Sequence, residues 1–131
     1  MQTLLPPGWP RPKGYANGIA ARGRLIFTAG IIGWDESERI VADDLPGQFR
    51  QVLSNVLAVL AEGGAGPEHL VRMTCYVVDR DEYVASLAAI GTIWREVIGK
   101  YYPAMAVVAV SALVEPRARV EIEAIAVVPD A

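Results

Sequence analysis

The chain has 131 residues, of which 53% are hydrophobic and 21% are charged, and its formal net charge is -3. A chain of this length forms about one domain with one core. Its lysines and arginines are not clustered, which argues against a nucleic-acid partner. No apolar run reaches membrane-spanning length and the N-terminus does not resemble a signal peptide, so we expect a cytoplasmic protein with no membrane partner.

The N-terminal residues 1–13 contain four prolines. They are predicted to form an extended arm of a single domain that spans residues 1–131. The segment from Gly18 to Gly33 carries two short β-type runs on either side of the letters ARGR. This pattern predicts a hairpin with Gly23 in the turn.

Two amphipathic helices are predicted next. The first begins near Pro46, which suits a first helical turn, and ends at Gly63 and Gly64. The second covers Arg80 to Ile98. The apolar residues at helical spacing are Phe49, Val52, Leu53, Val56, Leu57, Val59 and Leu60 in the first helix, and Tyr83, Leu87, Ile90, Trp94 and Val97 in the second.

Three more strands are predicted, within residues 69–79, from Ala104 to Val110, and from Arg119 to Val128. The element order predicts an α+β fold, with a mixed sheet of five to six strands and two helices on one face. In the strand that begins at Ala104 both alternating sets of side chains are apolar, which indicates burial on both sides. We therefore expect the uncovered face of the sheet to pack against copies of the same chain.

The last strand brings two carboxylates into an otherwise apolar sheet. Alternation puts Glu121 and Glu123 on one face and Ile122, Ala124 and Ala126 on the other. A glutamate in a cleft can exchange protons with a bound water. The pattern by itself favours the simpler interpretation, in which both glutamates face solvent on an edge strand.

Metal and cofactor sites have no support in the sequence. The chain has one histidine, His69, and one cysteine, Cys75. Neither has the spacing of metal ligands, so no metal and no cofactor is predicted. We expect His69 to be solvated or locally bonded, and Cys75 to be an inert buried thiol.

Five segments carry a family resemblance in order and spacing. They are GYANG (14–18), RLIFTAGIIG (24–33), the stretch from GQFRQ to CYVVD (47–79), YYPAMAVVAV (101–110) and VEIEAIAVV (120–128). Together they resemble the RidA (YjgF-type) family of enamine and imine deaminases. The resemblance implies a chorismate-mutase-like fold that forms a homotrimer, with the sheets in a central barrel, the helices outside, and clefts between subunits for a small-molecule substrate.

The resemblance also implies roles for individual residues. The family hydrolyses reactive enamines, through their imine tautomers, to 2-keto acids and ammonia. Tyr15 matches the family's cleft tyrosine, Gly30 the glycine whose backbone approaches the ligand, and Glu121 the glutamate that positions and deprotonates water. An arginine after a Pro-Ala pair holds the substrate carboxylate in the family, but Met105 stands there in this chain. The family's nearby cysteine is replaced by Val107.

Two hypotheses stay open at this point. In the first, the protein is a deaminase whose substrate packs its carbon chain on Met105 and Val107, with Trp94 and Tyr102 as further contacts. The leader and GQFRQ resemble the subgroup that includes 2-aminomuconate deaminases, which form 2-oxohex-3-enedioate and ammonia. The candidates for holding the acid groups are Arg11, Lys13, Arg72, Arg117 and Arg119. In the second hypothesis, the trimer binds small metabolites, or acts as a chaperone or regulator, without turnover.

Overall fold

The computed structural model describes residues 1–131. No helix in it has the length and apolar composition needed to cross a bilayer. A single 3-10 turn, Pro67–His69, directly precedes the central strand that begins at Leu70. The strands are β1 (Gln2–Leu4), β2 (Gly18–Ala20), β3 (Arg24–Phe27), β4 (Ile31–Ile32), β5 (Leu70–Val77), β6 (Ala104–Ala109) and β7 (Val120–Val128), and the helices are α1 (Leu45–Glu62), α2 (Arg80–Ala85) and α3 (Leu87–Val97).

Five strands form a mixed sheet, as predicted. The strand order is β3-β7-β5-β6, and the short β4 also pairs with β7. All pairs are antiparallel except β5 with β6, which is parallel. One face of the sheet packs against α1 and α3. The buried residues on this face include Met73, Cys75 and Val77 of β5, and Ile122, Ala124 and Ala126 of β7, which confirms the predicted alternation in the last strand.

The predicted hairpin between Gly18 and Gly33 is wrong. Strand β2 pairs instead with β1, where Thr3 lies opposite Ile19, and β3 pairs with β7. Gly23 lies between β2 and β3 with φ +148, and a Cβ there would be 2.1 Å from the carbonyl oxygen of Val128. The chain passes so close to the end of β7 that only glycine fits. The two short runs therefore belong to different sheets.

Helix α1 matches its prediction closely. Pro46 lies in the first turn, and the helix ends at Gly63, whose backbone N–H donates to the helix carbonyls. Gln48 is fully buried on this helix, and its Nε2 donates to the carbonyl oxygens of Ala42 and Arg117, at 2.9 and 3.0 Å. The backbone N–H of Arg119 donates to Gln48 Oε1 at 2.7 Å. One side chain therefore fixes the loop that leads into β7.

The second predicted helix is divided into α2 and α3. Ser86 joins them with φ -98 and ψ 4, outside the α region, while its N–H still donates to the carbonyl oxygens of Glu82 and Tyr83. The hydrogen-bonded chain therefore bends here without unwinding. The side chain of Asp79 caps α2 by accepting from the N–H of Glu82 at 3.1 Å. Helical spacing alone did not reveal this bend.

Strand β6 is not buried on both sides within the subunit, contrary to expectation. It is the edge strand of the sheet, and Val107 and Val108 are 37% and 43% exposed. Apart from its pairing with β5, the backbone of β6 pairs at one residue only, Ala104, which forms a bridge to Ala16. Val108 lies on the sheet face opposite the helices, so the apolar sequence of this edge strand leaves apolar surface in contact with solvent.

Candidate active site

A cavity of about 330 Å³ opens between α3 and the end of the sheet formed by β6. Five of the seven residues assigned to the site from the sequence line it. They are Tyr15, Trp94, Tyr102, Met105 and Val107. Most of the other lining residues are also apolar, so the cavity suits a ligand with a hydrophobic carbon body.

Strand register directs two of these side chains into the cavity. In the parallel pair of β5 and β6, Met105 lies beside Met73 and Val107 lies beside Cys75. Met73 and Cys75 are buried on the helix side, and neighbours at the same register share a face. Met105 accordingly packs against the core beneath α3. Tyr15 reaches the same place because the next residue in the chain bonds to the backbone at the start of β6.

Two aromatic rings form one wall of the cavity. The rings of Trp94 and Tyr102 are stacked, with centroids 6.1 Å apart and an interplanar angle of 12°. Trp94 Nε1 donates a hydrogen bond of 3.1 Å to the carbonyl oxygen of Tyr101. The indole is thus held by both packing and a polar contact, which gives the cavity a rigid flat surface.

Cys75 and Tyr83 also line this cavity. Burial raises the pKa of the Cys75 thiol from 9.0 to about 12. The thiol is therefore protonated near neutral pH and is not a nucleophile, as the sequence predicted for a buried cysteine. Burial also raises the pKa of Tyr83, so its hydroxyl keeps its proton and can only donate or accept hydrogen bonds.

Glu121 and Gly30 lie on the other face of the sheet. Phe27 pairs with Ile125, and Ile31 pairs with Ile122. The chain from β3 to β4 therefore advances by four residues where β7 advances by three. The extra residue is a bulge, and it brings Gly30 against the carboxylate of Glu121. A Cβ on Gly30 would be 2.5 Å from Glu121 Oε2.

The neighbouring carboxylate has a different partner. Tyr76 donates its hydroxyl proton to Glu123 Oε1 at 2.6 Å. This hydrogen bond is the main reason why the pKa of Tyr76 is raised. Glu121 lies beside Tyr76 across the strand pair but makes no hydrogen bond to it. Of the two glutamates on this face, Glu121 is the one whose carboxylate accepts no hydrogen bond from another side chain.

The sheet separates the two groups of predicted site residues. Met105 is in register with Met73 on the helix side, whereas Glu121 is in register with Tyr76 on the open side. A single subunit cannot bring the carboxylate of Glu121 to its own cavity without breaking the sheet. The open face also leaves Leu25 and Phe27 exposed by 56% and 63%.

The structure distinguishes among the cationic candidates. Lys13 lines the cavity, and Arg72 lines a smaller depression of about 250 Å³ on the open face. Arg117 bonds to Asp43 at 2.9 Å, and Arg119 bonds to both carboxylate oxygens of Glu82. These two arginines are therefore engaged in holding the loop before β7. Arg11 lines neither the cavity nor the depression.

Arg95 is a cavity residue that the sequence did not suggest. Leu87, Gly91 and Arg95 are spaced four apart on α3 and all line the cavity. Most of the predicted apolar stripe also lines the cavity, and Gly91 and Arg95 each follow directly after one of its members, Ile90 and Trp94. The glycine within the helix, followed four residues later by an arginine, was the feature in the sequence that could have revealed it.

His69 and the acidic residues do not form a metal cluster. No group of three or more histidine, cysteine, aspartate or glutamate side chains lies close enough together to hold an ion. His69 Nδ1 accepts a 2.9 Å hydrogen bond from the N–H of Gly66, which confirms the expected local bonding.

Comparisons with known proteins extend over most of the chain. The family model described as Endoribonuclease L-PSP matches residues 10–128. The chain is 35% identical over 127 residues to a RutC family protein of Pyrococcus horikoshii, covering 95% of this chain and 96% of that protein. It is 32% identical over 113 residues to the 2-iminobutanoate/2-iminopropanoate deaminase of Salmonella typhimurium, covering 86% of both chains.

Solved structures with the same fold also cover most of this chain. YyfB of Yersinia pestis, a protein of unknown function of the conserved Rid protein family, has a TM-score of 0.85 at 32% identity, over 97% of this chain and 98% of that one. E. coli TdcF with bound serine has a TM-score of 0.69 at 28% identity, over 89% and 90%. The predicted α+β fold is confirmed, and the chain belongs to the L-PSP family of RutC and Rid (RidA/YjgF) proteins.

Proposed function

We propose that this protein is an enamine and imine deaminase that hydrolyses an amino-substituted unsaturated acid to a keto acid and ammonia. The main support is the cavity beside β6, which gathers Tyr15, Trp94, Tyr102, Met105 and Val107 around an apolar space. A relative that is 32% identical is a 2-iminobutanoate/2-iminopropanoate deaminase. The resemblance places an arginine where this chain has Met105, so the proposed substrate is longer and more apolar than those of that relative.

The proposed reaction needs one water and one proton-transfer group. Glu121 takes a proton from water, and the resulting hydroxide adds to the imine carbon to give a carbinolamine. Glu121 returns that proton to the nitrogen, which completes the neutral carbinolamine. Glu121 then moves the carbinolamine hydroxyl proton to the amino nitrogen, so that the C–N bond breaks and ammonia leaves as the C=O bond forms. The hydroxyl of Tyr15, at the cavity wall, orients the substrate during addition. The atoms balance as imine plus water giving ketone plus ammonia.

The proposed site lies between subunits. Glu121 and Gly30 lie on the open face of the sheet, and the cavity lies on the helix face. A homotrimer that packs the open faces together would bring Glu121 of one copy toward the cavity of the next. The exposed Leu25, Phe27 and Val108 on the open face support such packing, because apolar side chains on one contiguous sheet face favour association.

The proposed substrate is 2-aminomuconate or a close analogue, with 2-oxohex-3-enedioate as the product. The leader and the start of α1 resemble the subgroup that acts on it, and the apolar cavity fits a conjugated carbon chain. Purified protein would be mixed with enzymatically generated 2-aminomuconate, and separately with 2-aminoacrylate, while chromophore loss and ammonia release are followed. We expect 2-aminomuconate to be the faster substrate. No acceleration of either reaction over buffer would refute the deaminase proposal.

Glu121→Gln separates the proposed base from its neighbour. The amide keeps the shape but cannot accept the proton, so kcat should fall by at least about a hundredfold. Glu123→Gln is the matched control on the same strand face, and we expect its kcat to stay within a few-fold of the wild type. Equal losses in both variants would exclude Glu121 as the specific base.

Mixed subunits test whether the site is shared. Val107→Asp puts a negative charge into the cavity and should abolish turnover of an acidic substrate, as Glu121→Gln does. When the two inactive variants are unfolded and refolded together, about a quarter of the clefts combine an intact Glu121 with an intact cavity. Recovered activity of that order supports a shared site, and no recovery in reassembled oligomers contradicts it.

Met105→Arg tests the altered recognition. The guanidinium can form a two-pronged contact with a carboxylate, so we expect preference to move toward short 2-imino acids. An unchanged substrate profile would mean that this position does not contact the ligand. A wild-type protein that binds acids in the cavity without releasing ammonia would instead favour the non-catalytic, metabolite-binding hypothesis.

A further inference from the structure

We propose that Lys13 and Arg95 form the carboxylate-binding group of this cavity, and that its ligand is a flat, unsaturated dicarboxylate. This inference rests on the proposed function, since it concerns the substrate of the same cavity. In this proposal, two cations from other elements take the role of the arginine that the resemblance would place at position 105. One is in the segment that precedes β2 and the other is on α3.

The charges around the cavity support an anionic ligand. Lys13 and Arg95 are its two charged lining residues, and no aspartate or glutamate lines it. Neither cation belongs to a salt bridge: the ion pairs of the chain involve Arg50, Arg80, Arg117, Arg119 and His69. Arg95 makes only a long hydrogen bond of 3.5 Å to Thr92 Oγ1. Both cations are thus free to bind an anion that the apolar wall holds nearby.

Gly91 explains how Arg95 reaches the cavity. A Cβ at Gly91 would be 3.4 Å from Arg95 Nη1, so the guanidinium folds back across the bare surface of α3 at this residue. A glycine inside a helix costs about 1 kcal/mol relative to alanine. The space that Gly91 leaves beside Arg95 explains why a glycine occurs here despite that cost, because a larger side chain would crowd the guanidinium at the cavity wall.

The shape of the cavity supports a flat carbon body. The stacked rings of Trp94 and Tyr102 form a planar wall, and Met105 of β6 adds a polarizable, flexible side chain to the lining. Two cations suit two carboxylates, or one carboxylate held from both sides. A short 2-imino acid has only one carboxylate and too little carbon to cover these surfaces.

The experiment measures binding of trans,trans-muconate, a stable planar dicarboxylate with no amino group. Calorimetry with the full-length protein would compare it with muconic diamide, which has the same carbon frame and no charge, and with propanoate. We expect muconate to bind at least tenfold more tightly than either. Equal binding of the diamide would overturn the proposal, because it would mean that charge does not contribute.

Variants locate the charge contribution. Arg95→Gln and Lys13→Gln should each weaken muconate binding about tenfold and leave diamide binding unchanged. The matched controls are Arg80→Gln and Lys100→Gln, which remove one exposed charge outside the cavity and should change the Kd less than twofold. Equal losses in the cavity and control variants would indicate a general effect of net charge and overturn the proposal.

Turnover distinguishes this inference from the proposed function. If muconate binding depends on both cations but no imine is hydrolysed, the dicarboxylate site stands and the deaminase proposal fails. If 2-aminomuconate is hydrolysed and the KM is unchanged in Arg95→Gln and Lys13→Gln, the deaminase proposal stands and this inference fails. Circular dichroism of each variant checks that it is folded, and Arg95→Lys should recover part of the lost affinity.

Discussion

The carboxylate of Glu121 lies against the backbone of Gly30, where a Cβ would be only 2.5 Å from Oε2. A glycine at this point of the bulge between β3 and β4 leaves room for the proposed base. The contact involves the far end of a flexible side chain, so an added methyl group would move the carboxylate and leave the fold intact.

Gly30→Ala should therefore reduce activity without reducing stability. We expect the melting temperature to change by no more than a few degrees and kcat to fall by about a hundredfold, because a misplaced base is a poor proton acceptor. Gly33→Ala is the matched control. Its Cβ would be 2.9 Å from the backbone oxygen of Gln48, which cannot move aside, so that variant should lose stability first. A Gly30→Ala enzyme with normal kcat would contradict the assignment of Glu121.

Gln48→Leu should destabilise the fold by about 2–4 kcal/mol, measured by urea unfolding. The substitution keeps the bulk but leaves the Arg119 N–H and two backbone carbonyls without their buried partner. Gln51→Leu on the same helix removes only a hydrogen bond to Asn55 and should cost less than about 1 kcal/mol. Similar losses in both variants would mean that the buried hydrogen bonds of Gln48 contribute little.

The Cys75 thiol should make stability fall at alkaline pH. Because burial raises its pKa from 9.0 to about 12, the folded chain keeps a proton that the unfolded chain has lost between these values. Stability is therefore full below pH 9 and declines above it, by about 1.4 kcal/mol at pH 10. Unfolding at pH 8 and pH 10 measures this loss. In Cys75→Ala the decline should be smaller by that amount, and an identical decline would mean that the thiol titrates normally.

Phe27→Asp should dissociate the predicted homotrimer. Phe27 is exposed on the open face of the sheet, and a charge there opposes packing against another apolar face. Light scattering should report a trimer for the wild type and a smaller species for the variant, with unchanged circular dichroism. Val84→Asp, an exposed apolar position on α2, is the control and should remain a trimer. A monomeric wild type would contradict the prediction.

The pattern of side chains along single elements was enough to predict much of the fold. Seven apolar residues at helical spacing located α1, and alternation placed Glu121 and Ile122 on opposite faces of β7. The motif match identified the family. It predicted Tyr15, Met105 and Val107, which line one cavity, together with Glu121 and Gly30, which lie on the other face of the sheet. These features depend on local periodicity and on short segments, which a sequence contains directly.

Other features depended on which distant segments meet. Strand β2 pairs with β1 and not with β3, β6 is an edge strand, and Arg95 reaches the cavity across Gly91. Periodicity gives the faces of an element but not its neighbours, since pairing is decided by the total area that the whole chain can bury. The sequence by itself therefore determined the first helix, the longer strands β5, β6 and β7, and the family. Only the tertiary structure decided that the sheet separates Glu121 from the cavity, because strand register sets the face on which each side chain lies.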